Sequence, residues 1–209
     1  MPDILCLGEP LVEFNHTGGT QWRQGFGGDV SNVSVAAARQ GASVGLVTRI
    51  GADGFGAMLD ALWHGEGVDT RHVARDADAQ TGLYFVTHGA DGHAFEYRRA
   101  GSAASRMTPE TLPPEVAQAA ILHFSGITQA ISPTARATAE AAAQAVQAAG
   151  GRVSFDPNLR LKLWPLAEAR PAILGALAKC DIALPGLDDA RALLEITEAE
   201  AIVRALLDM

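Results

Sequence analysis

Lysine and cysteine are scarce in this 209-residue chain: two of each, with 16 Lys plus Arg in all. Lys162 precedes Leu163 and Lys179 precedes Cys180. A phosphate-cradling loop of the Walker type needs Gly-Lys-Ser/Thr, so that class of nucleotide site is excluded. Cys6 and Cys180 lie far apart with no Cys-x-x-Cys pair, which leaves no zinc knuckle and no dithiol redox motif, and nothing calls for a disulfide. Positive charge is also short, with 24 Asp plus Glu against those 16 cations and a net charge of −8. A nucleic-acid-binding face needs clustered positive charge to displace counterions, so no nucleic-acid partner is expected. No apolar run approaches the ~20 residues that span a bilayer, and the start Met1-Pro2-Asp3 shows no basic region before an apolar stretch. The expectation is a soluble cytoplasmic protein with no membrane partner. His-Glu-x-x-His is absent, and the six histidines read as unpaired, with His88 and His93 as solvated loop residues beside a turn.

What is present is a chain 48% hydrophobic and 19% charged, able to bury a sizeable core. Ile4-Leu5-Cys6-Leu7-Gly8 reads as a buried strand and is followed by Glu9-Pro10 rather than the Gly-x-Gly-x-x-Gly of dinucleotide sites. A polar, Gly-rich stretch covers 15–28, a helix is expected over 30–40 with Val30, Val33, Ala37 and Ala38 on one face, and Gly41 stops it. A strand over 44–50 and a helix over 56–63 follow. The runs 83–87 and 94–98 flank Asp91-Gly92, a turn-forming pair, and predict a β-hairpin standing apart from the rest. Further strands are expected at 121–124, 153–155 and 182–184. Helices are expected at 133–149, which carries nine alanines, at 168–178 and from 188. Alternating strands and helices predict an α/β fold: one domain with a Rossmann-like, mostly parallel sheet covered by helices on both faces.

Two stretches carry chemistry. In Gly25-Phe26-Gly27-Gly28-Asp29-Val30-Ser31-Asn32 the paired glycines at a helix start let a ligand approach backbone N–H groups, and Asn32 can donate and accept toward a hydroxyl. The same letters suit a tight turn capped by Asp29 with Asn32 exposed. Asp156-Pro157-Asn158-Leu159-Arg160 follows a strand directly, where ligands of open parallel sheets bind, although Asp-Pro-Asn is also a plain turn. Tyr97, Arg98 and Arg99 add aromatic and basic groups at the end of the hairpin, which could close a cleft as a lid or form an ordinary solvated edge.

Together these stretches resemble the ribokinase-like, or phosphofructokinase B, carbohydrate kinases. The likeness rests on Gly27-Gly28 with Asn32 and Ala36-Ala37-Ala38-Arg39-Gln40-Gly41, continued by Val44, Gly51, Asp53, Gly56, Gly67 and Val68. Gly8-Glu9-Pro10, Tyr97 with Arg99, and Asp156 to Arg160 with Leu163-Trp164 look most like kinases of 2-keto-3-deoxygluconate, a six-carbon sugar acid. The resemblance implies a ribokinase-like fold with a small β lid, from segments at about 10–26 and 82–100, that pairs two subunits into a homo-oligomer. It implies ATP and Mg²⁺ as cofactors and a small-molecule sugar acid held by Gly27, Gly28, Asn32, Tyr84, Tyr97, Arg99 and Arg160, with Glu13 facing the sugar. Arg160 would take the carboxylate and Arg99 support it. Asp156, Asn158 and Asp189 would lie near phosphate and metal, Asp189 reaching Mg²⁺ through water. Gly186 stands where the family has the Asn partner of Asp189. The Gly-Ala-Gly-Asp turn that supplies the family's general base is absent, so no catalytic residue is assigned. The chain reads as the sugar-binding part of a fold incomplete at its C-terminus, inactive alone. The other readings are a kinase of fructose, ribose or a nucleoside, and a non-catalytic sugar-binding or oligomerising module.

Overall fold

The computed structural model describes residues 2–89 and 92–209. The expected turn at Asp91-Gly92 therefore falls partly outside the described residues, since Asp91 is not among them.

Six strands form the main sheet in the order β10-β9-β8-β1-β4-β5: β10 (Ile182–Ala183), β9 (Arg152–Asp156), β8 (Ile121–Ser125), β1 (Ile4–Leu7), β4 (Val44–Gly51) and β5 (Asp69–Asp76). Every described pairing in it is parallel. Because successive side chains of a strand point to opposite faces, β1 feeds both cores. Leu5 and Leu7 pack with the alanine-rich α4 (Pro133–Ala148) and with α5 (Leu166–Leu177); Cys6 packs with α1 (Asp29–Arg39) and α2 (Gly54–Gly65). The sheet is thus covered on both faces, as two-sided apolar strands require. After β1 the chain crosses to β4 on one side, and later to β8 on the other. That reversal opens a crevice beyond the carboxyl ends of β1 and β8, where open α/β sheets bind ligands.

A second sheet has the order β3-β2-β6-β7: β3 (Gln21–Gly27), β2 (Leu11–Gly18), β6 (Leu83–Gly89) and β7 (Gly92–Arg98). The polar stretch at 15–28 is thus mostly strand: its glycines pair across a hairpin, Gly25 with Glu13 and Gly27 with Leu11. Phe14 fixes one face of this sheet to the body, stacked on Phe85 at 5.5 Å and edge-on to Phe55 of α2 at 5.9 Å. The opposite face carries Glu13, Tyr84 and Tyr97 in register.

The observed elements refine the sequence reading in two places. β5 had no predicted counterpart, because its burial alternates weakly and it carries Asp69, Arg71, Arg75 and Asp76. α1 buries Ser31 and Ser34 beside Val30 rather than an all-apolar stripe; the indole N–H of Trp63 donates to Ser31 Oγ at 2.9 Å, which makes a buried hydroxyl acceptable there. Gly41-Ala42-Ser43-Val44-Gly45 spells Gly-x-Ser-x-Gly, but it leads from a helix into β4, the reverse of the strand-to-helix order a nucleophile elbow needs. No helix among the described residues is long and apolar enough to cross a membrane.

Candidate functional site

A cavity of about 290 Å³ occupies the crevice at the sheet's reversal point. Its floor is the end of β1 and the first turn of α1. Gly28 is the N-cap of that helix at φ 90°, a conformation in which a Cβ would lie 2.4 Å from the Glu9 carbonyl oxygen. Gly27 is needed for a different reason: a Cβ there would sit 2.5 Å from the Tyr84 hydroxyl, which fills that space. The helix start therefore presents bare backbone toward the cavity, and its dipole favours anionic or hydroxyl-rich groups. Asp29 does not cap the helix, and Asn32, although exposed, borders the cavity one turn further on.

Tyr84 and Tyr97 form the wall from the second sheet, stacked at 5.7 Å between ring centres. The Tyr84 hydroxyl donates to Glu13 Oε2; burial, and then the neighbouring carboxylate, push its proton affinity upward. Glu13 itself stands beside Tyr84 on the neighbouring strand and does not line the cavity, which differs from the expectation that it faces a sugar. Arg99 continues the wall beneath the Tyr97 ring, 5.5 Å from its centre.

The floor behind Arg99 holds a group that the sequence reading passed over. Glu9 is without exposure, ion-paired to the guanidinium of Arg99 and accepting from Ser102 Oγ at 2.6 Å. Burial raises its carboxyl above the ordinary range, against the opposing pull of Arg99 and Ser102. Its signal was in the sequence: a carboxylate directly after a buried strand, the same cue that drew attention to Asp156.

The third side is the loop after β9. Asn158 takes φ 36°, a left-handed turn that an Asn side chain tolerates, and it swings Arg160 to the cavity. Arg160 Nη1 donates to the carbonyl of Leu159 at 2.9 Å, and no carboxylate lies within ion-pair distance of its guanidinium among the described residues. Asp189, in the first turn of α6 (Leu187–Leu194), accepts from the Leu159 amide at 3.0 Å and so pins the loop. Asp156 lies below the cavity, half-buried, accepting from the Asn158 amide at 3.1 Å. Burial raises its proton affinity, the Asn158 amide lowers it, the charges of Asp29 and Asp189 raise it further, and the charge of Arg160 lowers it. Asp29 also belongs to the site: its Oδ2 accepts from Ser125 Oγ and from Asn158 Nδ2, the latter at 3.3 Å, so the helix start is tied to β8 and the β9 loop.

Gly27, Gly28, Asn32, Tyr84, Tyr97, Arg99, Asn158 and Arg160 thus meet around one space, joined by Glu9 and Asp29. The expected Mg²⁺ has no ready-made cage: no three acidic, His or Cys side chains among the described residues converge on one point. Asp189 fits only the weaker role of touching a hydrated ion, since one of its oxygens is committed to Leu159.

The model of the pfkB family carbohydrate kinases matches residues 1–209. A 2-dehydro-3-deoxygluconokinase of Thermoproteus tenax is 36% identical over 217 residues, covering 98% of this chain and 65% of that protein. The crystal structure of a PfkB protein from Polaromonas sp. JS666 superposes with a TM-score of 0.94 at 34% identity, over all of this chain and 74% of that one. A fructokinase with bound ATP from Xylella fastidiosa gives 0.90 at 27%, over all of this chain and 66% of the other. The chain spans about 65% of the length of the curated relative it matches.

Proposed function

The chain belongs to the pfkB family of carbohydrate kinases, and from that premise we propose that its cavity takes 2-keto-3-deoxygluconate for phosphorylation by ATP at the C6 hydroxyl. The observation that carries this reading is the Arg160 guanidinium at the cavity wall, which has no carboxylate within ion-pair distance among the described residues. Arg99 faces the same space, but its charge is matched by Glu9, so Arg99 acts mainly as a hydrogen-bond donor. Arg160 is left to meet a carboxylate, through two parallel N–H bonds where geometry allows. The Gly27-Gly28 turn and Asn32 hold the sugar hydroxyls, and the Tyr84–Tyr97 wall covers the carbon chain.

ATP, with Mg²⁺, supplies the phosphoryl group. The residues present here bind and orient the acceptor; Asn158 and Asp156 stand on the side of the cavity toward α6, where Asp189 can reach a hydrated ion. The 209 residues contain no Gly-Ala-Gly-Asp, so this chain is expected to bind the sugar acid without transferring phosphate. The sugar-bearing sheet is proposed to pair with its counterpart in a second subunit; sedimentation should give a dimer, and a monomer at high concentration would refute that.

The test is calorimetric titration with 2-keto-3-deoxygluconate and with fructose. The acid should bind more tightly, and Arg160→Met should remove about 1.5–3 kcal/mol of the acid's binding energy while leaving fructose nearly unchanged. The fructokinase relative, with the Glu9–Arg99 compensation, favours a neutral sugar as the second reading; equal losses for both ligands would establish it.

A further inference from the structure

His88 and His93, read from sequence as separate solvated loop residues, face each other directly across β6 and β7. Their rings meet edge to face at 4.6 Å, and their Nδ1 atoms are 2.7 Å apart. Two nitrogens at that distance need one proton between them, so one is a donor and the other presents its lone pair.

The neighbouring contacts decide which is which. Asn15 Nδ2 donates to Glu13 Oε1 at 3.4 Å, which turns Asn15 Oδ1 toward His88. His88 Nε2 lies 2.7 Å from that oxygen and must carry a proton to bond it. The neutral His88 ring therefore has its lone pair on Nδ1, pointed at His93, and His93 donates. This is the arrangement that prepares an imidazole for a metal: one nitrogen held as a donor by a fixed acceptor, the other presenting its lone pair toward the second ring. Both rings are exposed, so an ion can reach them.

We propose that His88 and His93 form a two-imidazole chelate for a borderline divalent cation of the Zn²⁺ type, at the outer end of the second sheet and away from the sugar cavity. The ion takes the place of the shared proton, which moves on the His93 ring from Nδ1 to Nε2, so both rings bind as neutral ligands and no proton is lost. Tetrahedral Zn–N bonds of about 2.0–2.1 Å require the two nitrogens to part by roughly 0.6 Å, a small rotation for exposed rings. Imidazole suits Zn²⁺ better than Mg²⁺ or Ca²⁺, and water completes the coordination. Glu13, on the same face, adds a favourable field; Arg23, paired with Asn15 across β3, opposes it. The site is independent of the sugar reading.

The experiment is a ZnCl₂ titration of the chain at pH 7.5, read by calorimetry and by the imidazole resonances in NMR. One equivalent should bind, shifting the ring signals of His88 and His93 and leaving those of His64 and His72 in place. His93→Ala should abolish binding, and Asn15→Ala should weaken it about 10–100-fold by releasing the His88 ring. Mg²⁺ should give no response. Absence of binding by the native chain overturns the proposal, and so does Zn²⁺ affinity that survives His88→Ala with His93→Ala. Unchanged circular dichroism in the variants keeps either result interpretable.

Discussion

At the scale of single residues, the site depends on positions where one atom more or less changes the outcome. Gly27 and Gly28 are adjacent yet fail differently. Gly28→Ala sets a Cβ against backbone at a φ that disfavours it, so unfolding should begin at lower denaturant, by roughly 1–3 kcal/mol. Gly27→Ala meets a side chain instead, the hydroxyl end of Tyr84. Tyr84 must then turn away, ring included, since its Cε1 and Cζ would also lie 2.6 and 2.9 Å from that Cβ; sugar affinity should fall while the thermal midpoint moves little. Glu9 and Arg99 form the buried charge pair beneath the cavity, with side-chain exposures of 0% and 11%. Glu9→Leu leaves that arginine charge unpaired and should cost about 3–5 kcal/mol in chemical denaturation, whereas replacing both partners by apolar residues should cost much less.

At the scale of elements, α1 and α2 are locked by one buried polar contact rather than by apolar packing alone. Trp63 is fully buried, and its indole N–H is satisfied only by Ser31 Oγ among the described residues. Ser31→Ala should therefore destabilise by about 1–3 kcal/mol, the cost of an orphaned donor. In a Trp63→Phe background the same substitution should cost little, and additive losses in that double-mutant cycle would contradict the assignment. The α2 start is a second such joint. Asp53 accepts from the Gly56 amide at 2.8 Å and from both the amide and hydroxyl of Thr81, tying the helix to the chain that enters β6. Asp53→Ala should cost about 0.5–2 kcal/mol as a lost cap.

At the scale of the whole molecule, the charge pattern sets the pH range of stability. Burial works against ionisation of Asp53, yet the Thr81 and Gly56 bonds outweigh it and hold its carboxyl below the usual range. Asp76 is lowered by the Asp78 amide and by Arg49 and Arg106; for Asp69 burial again works against ionisation, and its bonds to Arg71 outweigh it. A carboxyl lowered by folding contributes stability that is present above its unfolded pKa and lost as pH falls toward its folded one, so stability should decline below about pH 4. Asp156 runs the other way. Its raised value means the charged form is penalised in the fold, so Asp156→Asn should stabilise at neutral pH and lose that advantage in acid; denaturant midpoints measured across pH 3–8 would check both signs. The sequence by itself determined the alternation of strand and helix, and with it the parallel sheet, because buried two-sided strands and alanine- or valine-faced helices leave periodic marks that any reader of the chain can see. It also pointed to the Gly27-Gly28 turn and the Asp156–Arg160 loop, since glycine pairs and carboxyl-end polar clusters are local signals. It could not set β5 apart, whose charged residues hide an edge strand, nor recognise the paired strands in the stretch at 15–28, whose glycines are read as loop until a partner strand is present. Only the tertiary structure decided that Arg99 is ion-paired while Arg160 is not, that Glu13 bonds the Tyr84 hydroxyl, and that His88 meets His93. Each of these depends on the distance between groups many residues apart or on opposite strands, and electrostatic compensation falls off over a few ångströms of space, a separation that position along the chain does not encode.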